Sequence, residues 1–395
     1  MASVQKRVNL SAGEECTISG TGTVHIRLLA GVLEVAGVPL EATETYDFPL
    51  QLDARALLLY TLEGGSFSVG SEAPVEVHRA ATGAAVLAQL ARRTLAPRTA
   101  CSVLVIGDRR GGRTHAAHTL YNLLRRLRPD EVLSSVALLD MNAESNCLYT
   151  PGCVSALVTN EAELPLWLGR TNAPQQVTLN FPVGGAQQPS TANVATYLHA
   201  LEQLYDTAVA YAGERLPQRA AHRHVVVDAP APEGELQPGV FYKRLLELVR
   251  PSHVVLVAAR DAAHETVPGQ GSWTSYLQED VQRLLPDCEF VFVPPQARPC
   301  PQSTRPLLLL EYFVGTPLAP LGCSKVVVPL SGAGLQCCSL TATVGADGTV
   351  AVQRVQPDRS WRGLVCRPLP RGDAGGGAAG ARRRAVRRHR RGRGQ

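Results

Sequence analysis

Several functional classes are excluded by what this chain lacks. Its ten cysteines form no C-x-x-C pair and no His/Cys cluster stands at zinc spacing, so neither a disulfide framework nor a structural metal site is expected. The N-terminus, MASVQKRVNLSAGEEC, has no apolar core of a signal peptide, and the longest apolar runs, such as Leu307 to Leu310, are far too short to span a bilayer. A reducing cytosolic or nuclear compartment and no membrane partner are expected. The body also lacks net positive charge. The formal charge is +5, but Arg371 to Gln395 holds nine arginines against one aspartate, a +8 that leaves the rest at −3. Basicity is a property of the tail.

What is present is a core-forming composition, 45% hydrophobic over 395 residues, enough for two or three domains. From Val8 to Val77 apolar and polar positions alternate, as in Val24, Ile26, Leu28 and Phe67, Val69. Period two with turn signals at Gly20 to Gly22, Gly37 to Pro39 and Gly64-Gly65 predicts an antiparallel, sandwich-like β domain. Ala84 to Leu95 reads as a connecting helix that ends before Pro97, and residues 1–96 make the first unit.

Residues 97–315 read as a P-loop domain. Ser102 to Ile106 is a buried-strand pattern, and Gly107-Asp108-Arg109-Arg110-Gly111-Gly112-Arg113-Thr114 follows it in the register G-x-x-x-x-G-K-[ST], with arginine in place of the lysine. In such a turn the backbone N–H groups converge on phosphate oxygens, the lysine reaches the β/γ-phosphates and the hydroxyl binds Mg²⁺. The positive end of the next helix adds attraction. Ala116, Leu120, Leu123, Leu124 and Leu127 share one helical face, with Arg125 and Arg126 opposite, so the turn stands between strand and helix as the motif requires. Arg113 keeps the lysine's charge but not its geometry, because a planar fork approaches phosphate from other directions.

Further strands are expected at Val136 to Leu139, His224 to Val227, His253 to Val257 and Phe290 to Val293, with helices between them, Thr191 to Ala212 the clearest. The fold class is therefore α/β, with a mostly parallel central sheet. Asp140 and Asp228 each end a strand, and either could orient Mg²⁺ beside the turn. Pro294 to Pro306 is too proline-rich for a helix, and Glu311 to Gly315 opens a last β-rich segment, 316–370, with strands at Lys325 to Val328 and Val350 to Val355 and a hairpin turn at Asp347-Gly348. Residues 371–395 read as a disordered Arg-rich tail, whose RNA contact would be non-specific and salt-dependent.

In this order the chain resembles the eukaryotic polynucleotide 5′-hydroxyl kinase family, and within it the member of the pre-mRNA cleavage and polyadenylation machinery. Leu29 to Leu40, LAGVLEVAGVPL, is similar to the family's G-x-A-E-I-F-G-x-E-L segment, and Tyr46-Asp47-Phe48 and Tyr60 to Gly64 follow suit. Leu139 to Leu157 resembles its D-x-D-V-G-Q…P-G stretch, with Pro151-Gly152 fixing the register. There Asp140 takes the first acidic position, Asn142 falls on the catalytic aspartate and Ser145 on the glutamine. The family's T-x-G-W clasp falls on Ala229 to Pro232, and its paired lid arginines on Pro301 and Arg305, leaving Arg305 alone.

The resemblance implies ATP and Mg²⁺ as cofactors, nucleotide contacts from Gly107 to Thr114, an adenine contact at Glu15, and metal ligation by Thr114 and Asp140. It also implies a nucleus-located partner of the cleavage-factor type. The departures at Arg113, Asn142 and Pro301 weaken the phosphate clamp, remove a general base and leave Arg305 as half a lid, and base loss alone costs about 10²–10⁴ in rate. The expectation is a catalytically degenerate scaffold of pre-mRNA 3′-end processing that holds ATP without turnover. Two alternatives stand: a living RNA 5′-hydroxyl kinase with Asp140 as base, and an RNA-binding adaptor acting through the tail.

Overall fold

The computed structural model describes residues 4–51, 55–95, 100–107, 111–127, 136–159, 177–183, 188–191, 193–215, 224–232, 236–257, 273–294, 305–316, 319–320, 338–344 and 350–354. Asp108, Arg109, Arg110, Pro301, the strand expected at Lys325 to Val328, the Asp347-Gly348 turn and the tail from Arg371 to Gln395 lie outside the described residues.

Residues 4–81 form β1 (Val4–Leu10), β2 (Glu14–Gly20), β3 (Gly22–Gly31), β4 (Glu34–Val35), β5 (Val38–Pro39), β6 (Thr45–Leu50), β7 (Leu57–Tyr60), β8 (Gly65–Ser71) and β9 (Val75–Ala81). They pair antiparallel in two sheets, β1-β8-β3-β6 and β5-β4-β7-β2-β9. The alternation read from the sequence decides the faces: Val24, Ile26 and Leu28 of β3, Cys16 and Ile18 of β2, and Phe67 and Val69 of β8 meet in one buried cluster. Successive side chains point to opposite faces, so a slip of one residue would turn that whole set out into water.

The chain continues through α1 (Ala84–Leu95), β10 (Cys101–Gly107), α2 (Arg113–Arg126), β11 (Val136–Asp140), β12 (Cys153–Thr159), β13 (Val177–Pro182), α3 (Val194–Arg215), β14 (His224–Asp228), α4 (Pro238–Val249), β15 (His253–Val257), α5 (Trp273–Leu284), β16 (Glu289–Val293) and α6 (Arg305–Val314). The strands make one sheet of order β13-β12-β11-β14-β10-β15-β16. Its centre from β11 to β16 is parallel. The β12 and β13 edge is antiparallel, a mixed element that the sequence pattern does not announce.

Both faces of this sheet are covered, which is why its strands are almost continuously apolar. On β10, Val103 and Val105 face Leu87 and Leu90 of α1 and Leu120 and Leu124 of α2. Leu104 and Ile106 face the layer of α3 and α4, with Leu201, Leu204, Phe241 and Leu245. The arrangement places Gly107, Asp140 and Asp228 together at the carboxyl ends of parallel strands, where open α/β sheets bind their ligands.

The segment after β16 corrects one expectation. Glu311 to Val314 close a helix rather than open a β-rich segment, because α6 begins at Arg305 and Pro306 lies in its first turn, where a missing N–H costs nothing. After α6 come two short ladders, β17 (Gly315–Thr316) with β18 (Ala319–Pro320) and β19 (Cys338–Val344) with β20 (Val350–Arg354). Among the described residues no helix is long and apolar enough to cross a membrane.

A bidentate ion pair joins the sandwich to α6. Arg55, between β6 and β7, donates from Nη1 and Nη2 to the two carboxylate oxygens of Glu311 at 2.5 and 2.7 Å. Their side chains are only 10% and 5% exposed, so each charge depends on the other. Glu311→Ala, which strands Arg55, is expected to cost about 3–5 kcal/mol in urea unfolding. The paired apolar change Arg55→Met with Glu311→Leu should cost clearly less.

Candidate functional site

The turn between β10 and α2 is built around two glycines. A Cβ on Gly107 would lie 2.4 Å from the Val257 carbonyl oxygen of β15, so only glycine lets the neighbouring strand ends close. Gly112 caps α2 in the left-handed region, φ 95°, and no side chain caps the first turn of the helix. The strand before the turn and the helix after it are therefore where the sequence predicts them.

Arg113 does not point where the lysine of a working P-loop would point. Its Nε donates to Asp228 Oδ1 at 3.1 Å and its Nη1 to the Gly107 carbonyl at 2.9 Å. The guanidinium is turned inward, its side chain 7% exposed against 1% for Asp228. Thr114 donates its hydroxyl to the other Asp228 oxygen at 2.6 Å. Tyr242 of α4 adds a donor to the Gly107 carbonyl at 3.2 Å. Both oxygens of Asp228 are thus held, one by a cation and one by a hydroxyl.

Asp140 stands directly across from Asp228 in the β11–β14 register. Its Oδ1 accepts the Asn142 N–H at 3.0 Å and its Oδ2 the Cys147 N–H at 2.7 Å, which staples the loop after β11 to the strand. Burial, with the Asp228 charge next, holds the Asp140 carboxyl well above the ordinary carboxylate range. Asp228 is raised too by burial, although Arg113 and Thr114 pull the other way.

The loop after β11 collects the other departures. Asn142 and Ser145, the two substituted positions of the resemblance, bond to each other, Asn142 Nδ2 donating to Ser145 Oγ at 2.9 Å. Arg305 reaches the same loop from the start of α6, its Nη1 3.4 Å from the Ala143 carbonyl. Two residues that the sequence reading passed over also converge here: buried Glu144 accepts a hydrogen bond from Gln188 Nε2, just before α3. At the clasp position, Ala229 is fixed by its backbone N–H to the Val105 carbonyl, and Ala229 to Pro232 offers only alanine and proline side chains.

The segment Leu29 to Leu40 acquires a role that no spacing suggested. Its β4–β5 hairpin docks on α2. Buried Glu34 accepts from Tyr60 Oη at 2.7 Å and from both terminal nitrogens of Arg126 at 3.0 Å. Asn122 of α2 donates to the Ala36 carbonyl at 2.7 Å, where Ala36 itself has φ 46°. Gly37 lies so close that a Cβ there would be 2.8 Å from the Thr119 carbonyl. Glu15 is buried on the same sheet face, since Tyr60 pairs with Glu34 on one side and with Glu15 on the other. The expected adenine contact thus lies beside the hairpin that grips α2.

Of the residues expected to hold a nucleotide and its metal, Thr114 donates its hydroxyl to Asp228 and keeps its oxygen lone pairs, each Asp140 oxygen accepts one backbone N–H and keeps a further lone pair, and the Arg113 guanidinium lies on Asp228.

The sheet order and the strand-end acids define an α/β protein with a mostly parallel central sheet, and its solved neighbours fit a P-loop kinase-like fold. Among solved structures the chain is similar to Clp1p in two complexes with Pcf11p. For the wild-type complex the TM-score is 0.61 at 16% identity, covering 81% of this chain and 75% of that one. For a complex describing an extended Pcf11p–Clp1p interface and ATP loss in a glycine-to-arginine mutant, the TM-score is 0.68 at 15% identity, covering 91% and 84%. At these identities the likeness is one of fold. No protein-family model and no curated protein matches the chain.

One titration on α2 is open to measurement. His118 is buried, and that burial lowers its pKa from the usual 6.5 to about 4. Between those values the unfolded chain binds a proton that the folded chain refuses, so stability is complete above pH 6.5 and falls as pH drops toward 4. The His118→Gln variant should lose up to about 1.4 kcal/mol per pH unit of that slope in denaturant titrations between pH 6.5 and 4.5. Equal slopes in the two proteins would remove His118 as the cause.

Proposed function

We propose that this chain is a non-catalytic, P-loop kinase-like scaffold subunit of the nuclear pre-mRNA 3′-end cleavage and polyadenylation machinery, carrying cleavage-factor proteins on its central α/β domain. The observation that carries the proposal is the inward Arg113, bonded to Asp228 and Gly107, with the amide of Asn142 bonded to Ser145 where a kinase of the resembled family keeps its base. Phosphoryl transfer needs a clamp on the phosphates and a residue able to take the hydroxyl proton. Here both positions are spent on holding the protein's own loops. The scaffold part of the proposal is supported by the solved neighbours, in which Clp1p of the same fold is bound to Pcf11p. It is also supported by the sequence resemblance.

A second reading, a living RNA 5′-hydroxyl kinase, is favoured by one observation. Buried Glu144 brings a carboxylate into the loop of Asn142, beside the lid residue Arg305. In that reading Glu144 stands beside Asp140 as a candidate base.

Incubation of the purified chain with γ-labelled ATP and an RNA bearing a 5′-hydroxyl decides between them. No transfer is expected. Restoring Arg113→Lys together with Asn142→Asp should yield no turnover either, because the clasp and the second lid arginine are also missing. Transfer by the native chain that Glu144→Gln abolishes would establish the kinase. Affinity purification from nuclear extract is expected to bring down cleavage and polyadenylation factors in stoichiometric amounts, and their absence would refute the scaffold.

A further inference from the structure

We infer that Arg113 is a built-in counter-cation: its guanidinium supplies, from within the chain, the positive charge that a nucleotide-bound metal and a lysine supply in a working P-loop, so the ends of β10 and β14 and the start of α2 hold together without nucleotide. This deepens the non-catalytic reading of the same site, yet it is a separate claim, since the Asn142 substitution alone could silence a kinase that still needed ATP to stay folded.

The argument is geometric. Asp140 and Asp228 are carboxyl groups side by side at the ends of adjacent strands, each 1% exposed. Two such groups cannot both be ionised in a dry site unless a cation shares them. In a nucleotide-loaded cradle that cation would arrive from outside. Here Arg113 is already on Asp228, and Asp140 feels its charge as well as that of Asp228.

The arginine fork matters as much as its charge. Nε meets Asp228 on β14 while Nη1 meets the Gly107 carbonyl at the end of β10, so one side chain ties the start of α2 to two strand ends. Thr114 and Tyr242 complete the set, on the second Asp228 oxygen and on the same Gly107 carbonyl. A lysine concentrates its donors on one nitrogen and cannot reproduce this two-edged grip. A metal ion entering beside Asp228 would meet a like charge already in place, so affinity for Mg²⁺ is lowered by the same feature that makes it dispensable.

Thermal unfolding of the full chain tests this, with ATP and Mg²⁺ together, with Mg²⁺ alone and with a chelator. The native chain is expected to melt at one temperature in all three. A rise of about 5 °C with saturating ATP and Mg²⁺ would overturn the inference. Arg113→Lys is expected to melt about 5–10 °C lower and to recover in ATP and Mg²⁺. An Arg113→Lys protein that melts like the native chain, or that gains nothing from nucleotide, would also overturn it. Should that variant fail to fold, Arg113→Met, Asp228→Asn and the two combined decide the matter by their melting temperatures. Losses smaller in combination than in sum are expected, and strictly additive losses refute the pairing. Recovery of cleavage factors from extract is unaffected by any of these outcomes, so the two proposals fail separately.

Discussion

The buried pair of Arg113 and Asp228 is the contact on which the rest of the central domain depends. Removing two charges from water costs several kcal/mol each, and that cost is offset only where geometry is good and the remaining donors and acceptors are filled. Here they are: one carboxylate takes a guanidinium and a hydroxyl, and the guanidinium also takes a carbonyl. Strand register brings Asp228 to its place, Gly107 permits the close approach of β15, and the left-handed Gly112 starts the helix that carries Arg113.

Around that pair, several polar groups hold the chain's own loops. In this chain Asp140 staples its own loop, Asn142 and Ser145 close a turn, and the N-terminal hairpin clamps α2 through Glu34, Tyr60, Arg126 and Asn122. The result is a P-loop architecture whose interactions are directed inward.

Much of this was legible in the residue order. The period-two run to Val77 made the sandwich, Ala84 to Leu95 is a helix with the bounds that its apolar spacing and Pro97 imply, and the acids after VALL and HVVV end strands as expected. What was not legible depends on partners remote in sequence. The direction of the Arg113 head is set by Asp228, 115 positions away, and no local pattern encodes it. The antiparallel β12 and β13 were hidden because a short apolar run carries no sign of its strand direction. Helix α6 was missed because Pro306 was weighed as a breaker, when the first turn of a helix is the place that tolerates it. The hairpin around Glu34 was visible as a resemblance, but its purpose emerged only once α2 lay against it.

The union of Arg55 with Glu311 bears on how the protein is made. Ribosomal synthesis runs at roughly 5–20 residues per second, so the 256 positions between the partners correspond to roughly ten to fifty seconds of elongation. Throughout that interval the sandwich, first to emerge, carries an arginine whose resting place does not yet exist. The pair can therefore form only after the whole central sheet between the two partners has been made.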